Sequence, residues 1–292
     1  MRGVRMNMSE TLGRWQATII DGGSLSLDGG AMFGSVPRVV WERCIAPDTE
    51  HRIPMKTRLL LLEDSRSDRV VLIDAGVGDK EDPAFRDRFA IQLPEGTGEA
   101  PLRRAIRSVG VDPQRVTDLI LTHLHFDHVG GATELDREGQ STALFPDATH
   151  WVQQANWDTG LSPNARERAS YMRQNIEPLA AAPLEKIDGN GEILPGISVE
   201  RVDGHTVGMQ TVRIEGGGRV MRYLADLAPT WHHLRAAWTM GYDICAITVV
   251  EEKQRMLQAA LEEQALLVLE HDPVHAVTSL EERNGKIVAR KP

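Results

Sequence analysis

Short apolar runs rich in leucine and β-branched residues recur along the chain: WQATII at 15–20, TRLLLLE at 57–63, RVVLIDAG at 69–76, DLILTH at 118–123 and ALLVLEHD at 265–272. Runs of this length, bounded by turn-forming residues, predict strands, and their nearly continuous apolar character predicts burial on both faces. Residues 196–225 follow a different rule. GISVERVDGH and MQTVRIEGGGRVMRYLAD alternate apolar and polar positions around the glycines 216–218, the pattern of an antiparallel hairpin. Helical signals are clearest at 99–109, 163–176 and 251–263, the last preceded by Thr248 and Glu251 at capping-box spacing. A mixed sheet covered by helices, an α/β fold, follows from this alternation.

No internal repeat is visible, and the glycine-rich stretches at 22–23, 29–30, 189–191 and 216–218 read as turns. None of them forms the glycine pattern of a dinucleotide or phosphate loop, so nucleotide-cofactor folds lack support. The chain has 292 residues, of which 41% are hydrophobic and 26% charged, enough to bury one large core or two smaller ones. Its net charge of −9 disfavours nucleic acid and anionic membranes as partners. Cys44 and Cys245 lie beside apolar residues, not in a cysteine cluster, and read as buried or inert thiols. No apolar run approaches membrane-spanning length, and MRGVRMNMSE is not followed by the apolar core of a secretory signal; a cytoplasmic location is the expectation.

The densest chemistry is THLHFDHVGG at 122–131, directly after the run DLIL. His123, His125, Asp127 and His128 form HxHxDH. Two residues apart on an extended segment point the same way, so His123 and His125 can share one metal ion, while Asp127 and His128 on the next turn can reach a second. Packing three imidazoles and a carboxylate together without a cation would leave their desolvation uncompensated. Three further candidates end predicted strands: His205 in DGHTVGMQ, Asp226 in YLADLAP and His271 in VLEHDP. Asp74 ends VVLIDAG, where it can support the site or cap a turn.

HLHFDH followed in order by GHT, a strand-terminal AD and a strand-terminal EHD resembles the metallo-β-lactamase superfamily of binuclear metal hydrolases. The resemblance implies a four-layered αβ/βα sandwich. It also implies that His123, His125 and His205 hold one metal, that Asp127, His128 and His271 hold the other, that Asp226 bridges them, and that Asp74 supports the ligands from behind. A single domain over residues 1–292 is expected, with 1–45 as an N-terminal extension carrying a pocket or dimer loop. Two divalent ions would lower the pKa of a shared water toward about 7, so no serine or cysteine nucleophile is required. Asp127 and Asp226 are the expected catalytic carboxylates. Zinc is the expected metal, although nitrogen and carboxylate ligands also suit cobalt, manganese or iron.

Residues 21–43 and 226–243 further resemble the N-acyl-homoserine lactone lactonases and their organophosphate-hydrolysing neighbours. That likeness implies a small lactone or ester substrate and a quorum-quenching role; the alternatives are phosphotriester, aryl ester, β-lactam or thioester hydrolysis. A homodimer is compatible with the aromatic segment around Trp15. Some of these lactonases carry a tyrosine three residues after the bridging aspartate, where this chain has Pro229; Tyr223 and Tyr242 are candidate substitutes. Met32, Phe33 and Trp231 are candidates to line an acyl pocket, with core packing the competing explanation. His232 and His233 are expected at a helix start, facing solvent or capping.

Overall fold

A computed structural model describes residues 8–290. The opening seven residues, read above as lacking a secretory signal, and the last two lie outside the described residues. The predicted strands, together with others that the apolar runs did not mark, form two main sheets in which spatial order follows chain order. The first runs Ser9–Leu12, Trp15–Asp28, Arg52–Asp64, Val70–Ile73, Asp118–Ile120, Thr149–Gln153 and Leu184–Ile187, antiparallel as far as Val70–Ile73 and parallel beyond it. The second runs Gly191–Leu194, Ile197–Val202, Met209–Gly216, Arg219–Tyr223, Leu266–Val268 and Val277–Thr278. Only Arg219–Tyr223 and Leu266–Val268 pair in parallel there.

The continuous apolar runs have a simple cause. Leu60, Leu62, Val71, Ile73 and Ile120 face the core between the sheets. Their neighbours Leu59, Leu61, Val70, Leu72 and Leu119 face outward, into a second core built with Leu102, Ala105 and Ile106 of helix Pro101–Ser108. Each fully buried side chain of this kind contributes about 1.5–3 kcal/mol, which outweighs any exposed ion pair. On the second sheet Val199, Val212, Ile214 and Met221 face the shared core. Arg213 and Arg222 take the opposite face and reach Glu263, just past helix Ala246–Glu262, at 2.9 and 2.7 Å. Helix, sheet, sheet and helix make the four layers.

Several expectations change. Residues 165–170 form turns, and of the stretch 163–176 only Arg173–Ile176 is helical, because the Asn164 side chain accepts from the backbone N–H groups of Arg166 and Glu167 and competes with helical bonding. The helix of this region is Gln154–Leu161. The helix expected at 251 starts at Ala246, so Thr248 and Glu251 lie inside it, and Thr248 Oγ1 donates to Cys245 Sγ at 3.0 Å. Cys245 is exposed and Cys44 half-buried, not buried thiols. Gly22 and Gly23 form a bulge within a long strand, and Gly29–Phe33 is a short helix. Ser9–Leu12 and Trp15–Asp28 are strands of the first sheet. Trp15, in the segment read as compatible with a dimer, is buried and donates from Nε1 to Pro195 O at 2.8 Å. Among the described residues no helix is long and apolar enough to cross a membrane.

Candidate metal centre

Strands from both sheets end along one edge, and every motif residue sits just past such an end. Asp74 follows Val70–Ile73, His123 follows Asp118–Ile120, His205 follows Ile197–Val202, Asp226 follows Arg219–Tyr223, and His271 follows Leu266–Val268. HxHxDH turns directly into the short helix Phe126–Val129, which brings Asp127 and His128 back over the edge. Gly130 closes the turn where the chain must come close: a Cβ there would lie 1.8 Å from Val77 O.

The seven motif residues converge in two groups. His123, His125, His205 and Asp226 present donor atoms within 4.8 Å of one another, as do Asp127, His128 and His271. All seven are buried. Asp226 stands between the groups: Oδ2 lies 3.2 Å from His205 Nε2, and Oδ1 lies 3.2 Å from His271 Nε2. Ring nitrogens face each other at 3.1 Å (His123 Nε2 and His125 Nδ1) and at 3.3 Å (His205 Nε2 and His125 Nδ1; His271 Nε2 and His128 Nε2).

This arrangement fits a pair of divalent cations. Two facing imidazole nitrogens can share only one proton, and Asp226 Oδ1 is buried without a hydrogen-bond partner. A nitrogen-rich donor set with carboxylate oxygens suits zinc and similar first-row ions. The charge pattern agrees. Burial, reinforced by His128, His125 and His205, holds His123 well below the usual histidine range. Against burial, Asp226 and Asp243 push His205 up to about 10, and Asp226 and Glu270 push His271 up to about 9. Despite burial, His205 and His271 hold Asp226 well below the carboxylate range.

The outward nitrogens of His128, His205 and His271 are also engaged. Asp74 accepts from Thr122 N and Thr122 Oγ1, both at 2.7 Å, and lies 3.0 Å from His128 Nδ1. Asp243 Oδ1 lies 2.9 Å from His205 Nδ1, and His271 Nδ1 donates to Lys56 O at 2.7 Å. Glu270, fully buried and pushed up to about 7 by burial, comes within 3.3 Å of His128 Nδ1. Asp243 and Glu270 were not anticipated, although each lies in a quoted segment, next to Tyr242 and His271.

The pocket candidates fare unevenly. Met32 and Phe33 do not line an open pocket: both are buried in a third core, where Phe33 stacks on Trp41 and His233 at 5.7 and 4.9 Å. His233 does not face solvent either. It is buried, donates from Nε2 to Met32 O at 2.8 Å, and is pushed down to about 3, chiefly by burial. Trp231 is half-buried with Nε1 unpartnered. Tyr223 is fully buried and donates to Arg58 O at 2.7 Å, so its hydroxyl is committed. Tyr242 is 37% exposed.

The family model described as the metallo-beta-lactamase superfamily matches residues 59–271, which contain all seven motif residues and Asp74. Among curated relatives, an N-acyl homoserine lactonase of Bacillus cereus is 27% identical over 150 residues, covering 50% of this chain and 53% of that protein. The chain thus spans about half the length of the curated relatives it matches. A solved structure of a probable metal-dependent hydrolase from Staphylococcus aureus superposes with a TM-score of 0.84 at 26% identity, covering 97% of this chain and 99% of that one. AidC, a dizinc quorum-quenching lactonase, gives 0.74 at 19% identity, covering 98% and 97%, a likeness of fold. The match over residues 59–271, on a chain whose strand ends gather these histidines and aspartates, means that the protein belongs to the metallo-beta-lactamase superfamily.

Proposed function

We propose that the protein is a metal-dependent hydrolase that opens the ring of N-acyl-homoserine lactones. The observation that carries the hydrolase reading is Asp226, with one oxygen toward each of two buried donor groups. The names of the curated relatives support the lactone. His123, His125 and His205 would hold one ion, Asp127, His128 and His271 the other, and Asp226 both; zinc is the metal we propose. Bound there, two divalent ions would supply a water with a pKa near 7 and polarise a carbonyl oxygen.

The chain's own groups complete the reaction. Asp127, whose oxygens lie 3.9 Å from His128 Nε2 and His271 Nε2, binds and orients the attacking water. Tyr242 replaces the tyrosine missing at Pro229 as the donor to the leaving oxygen. Burial and the charges of Asp28, Asp127 and Asp226 push its hydroxyl up to about 12, so it keeps its proton at neutral pH. Trp231, past Asp226 and half-exposed, is the apolar wall for the acyl chain, with Met32 and Phe33 stiffening the loop behind it.

A pH-indicator assay with short- and long-chain acyl-homoserine lactones beside an aryl phosphotriester tests the reading. Fast lactone opening supports it. Turnover of the triester alone would replace the substrate, and inertness of metal-loaded protein toward both would leave a metal-binding module.

A further inference from the structure

Behind the first donor group, one segment touches every element that carries its histidines. Glu167 is 4% exposed. Its Oε1 lies 3.9 Å from His125 Nε2, a buried nitrogen without a hydrogen-bond partner. The same oxygen accepts from Thr206 Oγ1, adjacent to His205, and the other accepts from Asn164 Nδ2. Tyr171 packs edge-on against the His125 ring at 4.7 Å, and its hydroxyl lies 2.7 Å from Thr206 Oγ1. Arg166 donates to the carbonyls of Gly241 and Asp243, which steadies the turn whose Asp243 side chain engages His205. Ser170 O accepts from Phe126 N at 2.9 Å, next to His125.

His125 turns Nδ1 toward the other donors, whereas His123 and His205 turn Nε2. An imidazole that gives one nitrogen to a metal keeps its proton on the other and needs an acceptor there. For His125 that nitrogen is Nε2, and Glu167 is the carboxylate facing it.

We infer that Glu167 is a positioning residue for the first metal: its buried carboxylate, 3.9 Å from His125 Nε2, favours the proton on that nitrogen and so keeps Nδ1 free, and through Thr206 it ties the ring to the segment that carries His205. The inference rests on reading His123, His125 and His205 as ligands. It follows that removing the Glu167 charge weakens one metal site and spares the other, because His128 and His271 take their outward bonds from Asp74 and Lys56.

The test is a titration of chelator-stripped full-length protein with Co2+, followed by visible absorption and competition, on wild type, Glu167→Gln and Glu167→Asp. Wild type is expected to bind two ions. Glu167→Gln is expected to keep one site at wild-type affinity, to weaken the other about 10–100-fold with altered cobalt bands, and to leave the metal-free melting temperature unchanged. Glu167→Asp should recover part of the loss. Two undisturbed sites in Glu167→Gln, or equal weakening of both with a lower metal-free melting temperature, would overturn the inference alone; wild type that binds no cobalt would overturn the reading of the centre as well. If Glu167→Gln does not fold, Thr206→Val removes only the coupling hydroxyl, and two undisturbed sites there would likewise overturn it.

Discussion

Asp74 has a φ of 58°, in the left-handed region that non-glycine residues rarely enter, and Ala225 beside Asp226 has 46°. Such strain at two strand ends facing one site is stabilised by what the side chains hold; here Asp74 ties Thr122 and His128 together. Asp74→Asn keeps the shape and tolerates the backbone, so the chain should fold while metal affinity falls about 10–100-fold, measured by competition with a chromophoric chelator. Tyr242→Phe should retain both metals and lose turnover by about 10²-fold; unchanged turnover would remove Tyr242 from the reaction. Protons give a further check. A metal needs the unprotonated ring nitrogen, and His205 and His271 keep their protons up to about 10 and about 9 in the metal-free chain. Metal uptake at neutral pH therefore releases protons, and affinity rises with pH toward about 10, where His205 loses its proton. Calorimetry in two buffers of different ionisation enthalpy should give buffer-dependent heats, and equal heats would contradict the charge state argued here. At this scale HxHxDH was legible because spacing alone aims its side chains. Glu167, Asp243 and Glu270 were not, since a lone acidic residue in a loop carries no period that predicts its partner.

At the scale of elements, the apolar runs identified the strands because two-sided burial leaves a plain sequence signature, and the alternating stretch identified the second-sheet hairpin. Boundaries and short helices were less legible. The Asn164 side chain replaced helical bonds with a turn, and it is this turn that delivers Glu167 to His125. For Met32 and Phe33 the sequence left pocket lining and core packing both open, because aromatic and methionine side chains suit either; both lie in the third core, where Phe33 stacks between Trp41 and His233. The turn after HxHxDH gives the element-scale prediction. Gly130→Ala drives a methyl into Val77 O, so it should cost about 3 kcal/mol and displace His128, seen as a lower melting temperature together with loss of metal. A variant as stable as wild type would show that the close approach is not needed.

Across the whole molecule, each sheet brings part of the site, and neither brings all of it. The first supplies Asp74 and HxHxDH, and the second supplies His205, Asp226 and His271. Each donor group takes residues from both sheets, so the shared apolar core between the sheets sets how closely the members of a group approach one another, and metal binding should in turn hold the sheets together. The measurement that tests this most directly follows one preparation through chelation and stepwise zinc addition, with metal content, melting temperature and hydrolysis read at each step. Uptake of about two ions per chain, with a melting temperature that rises by several degrees and hydrolysis that returns as the sites fill, is the predicted result. Hydrolysis that survives complete metal removal, or a chain that takes up no metal, would contradict the account.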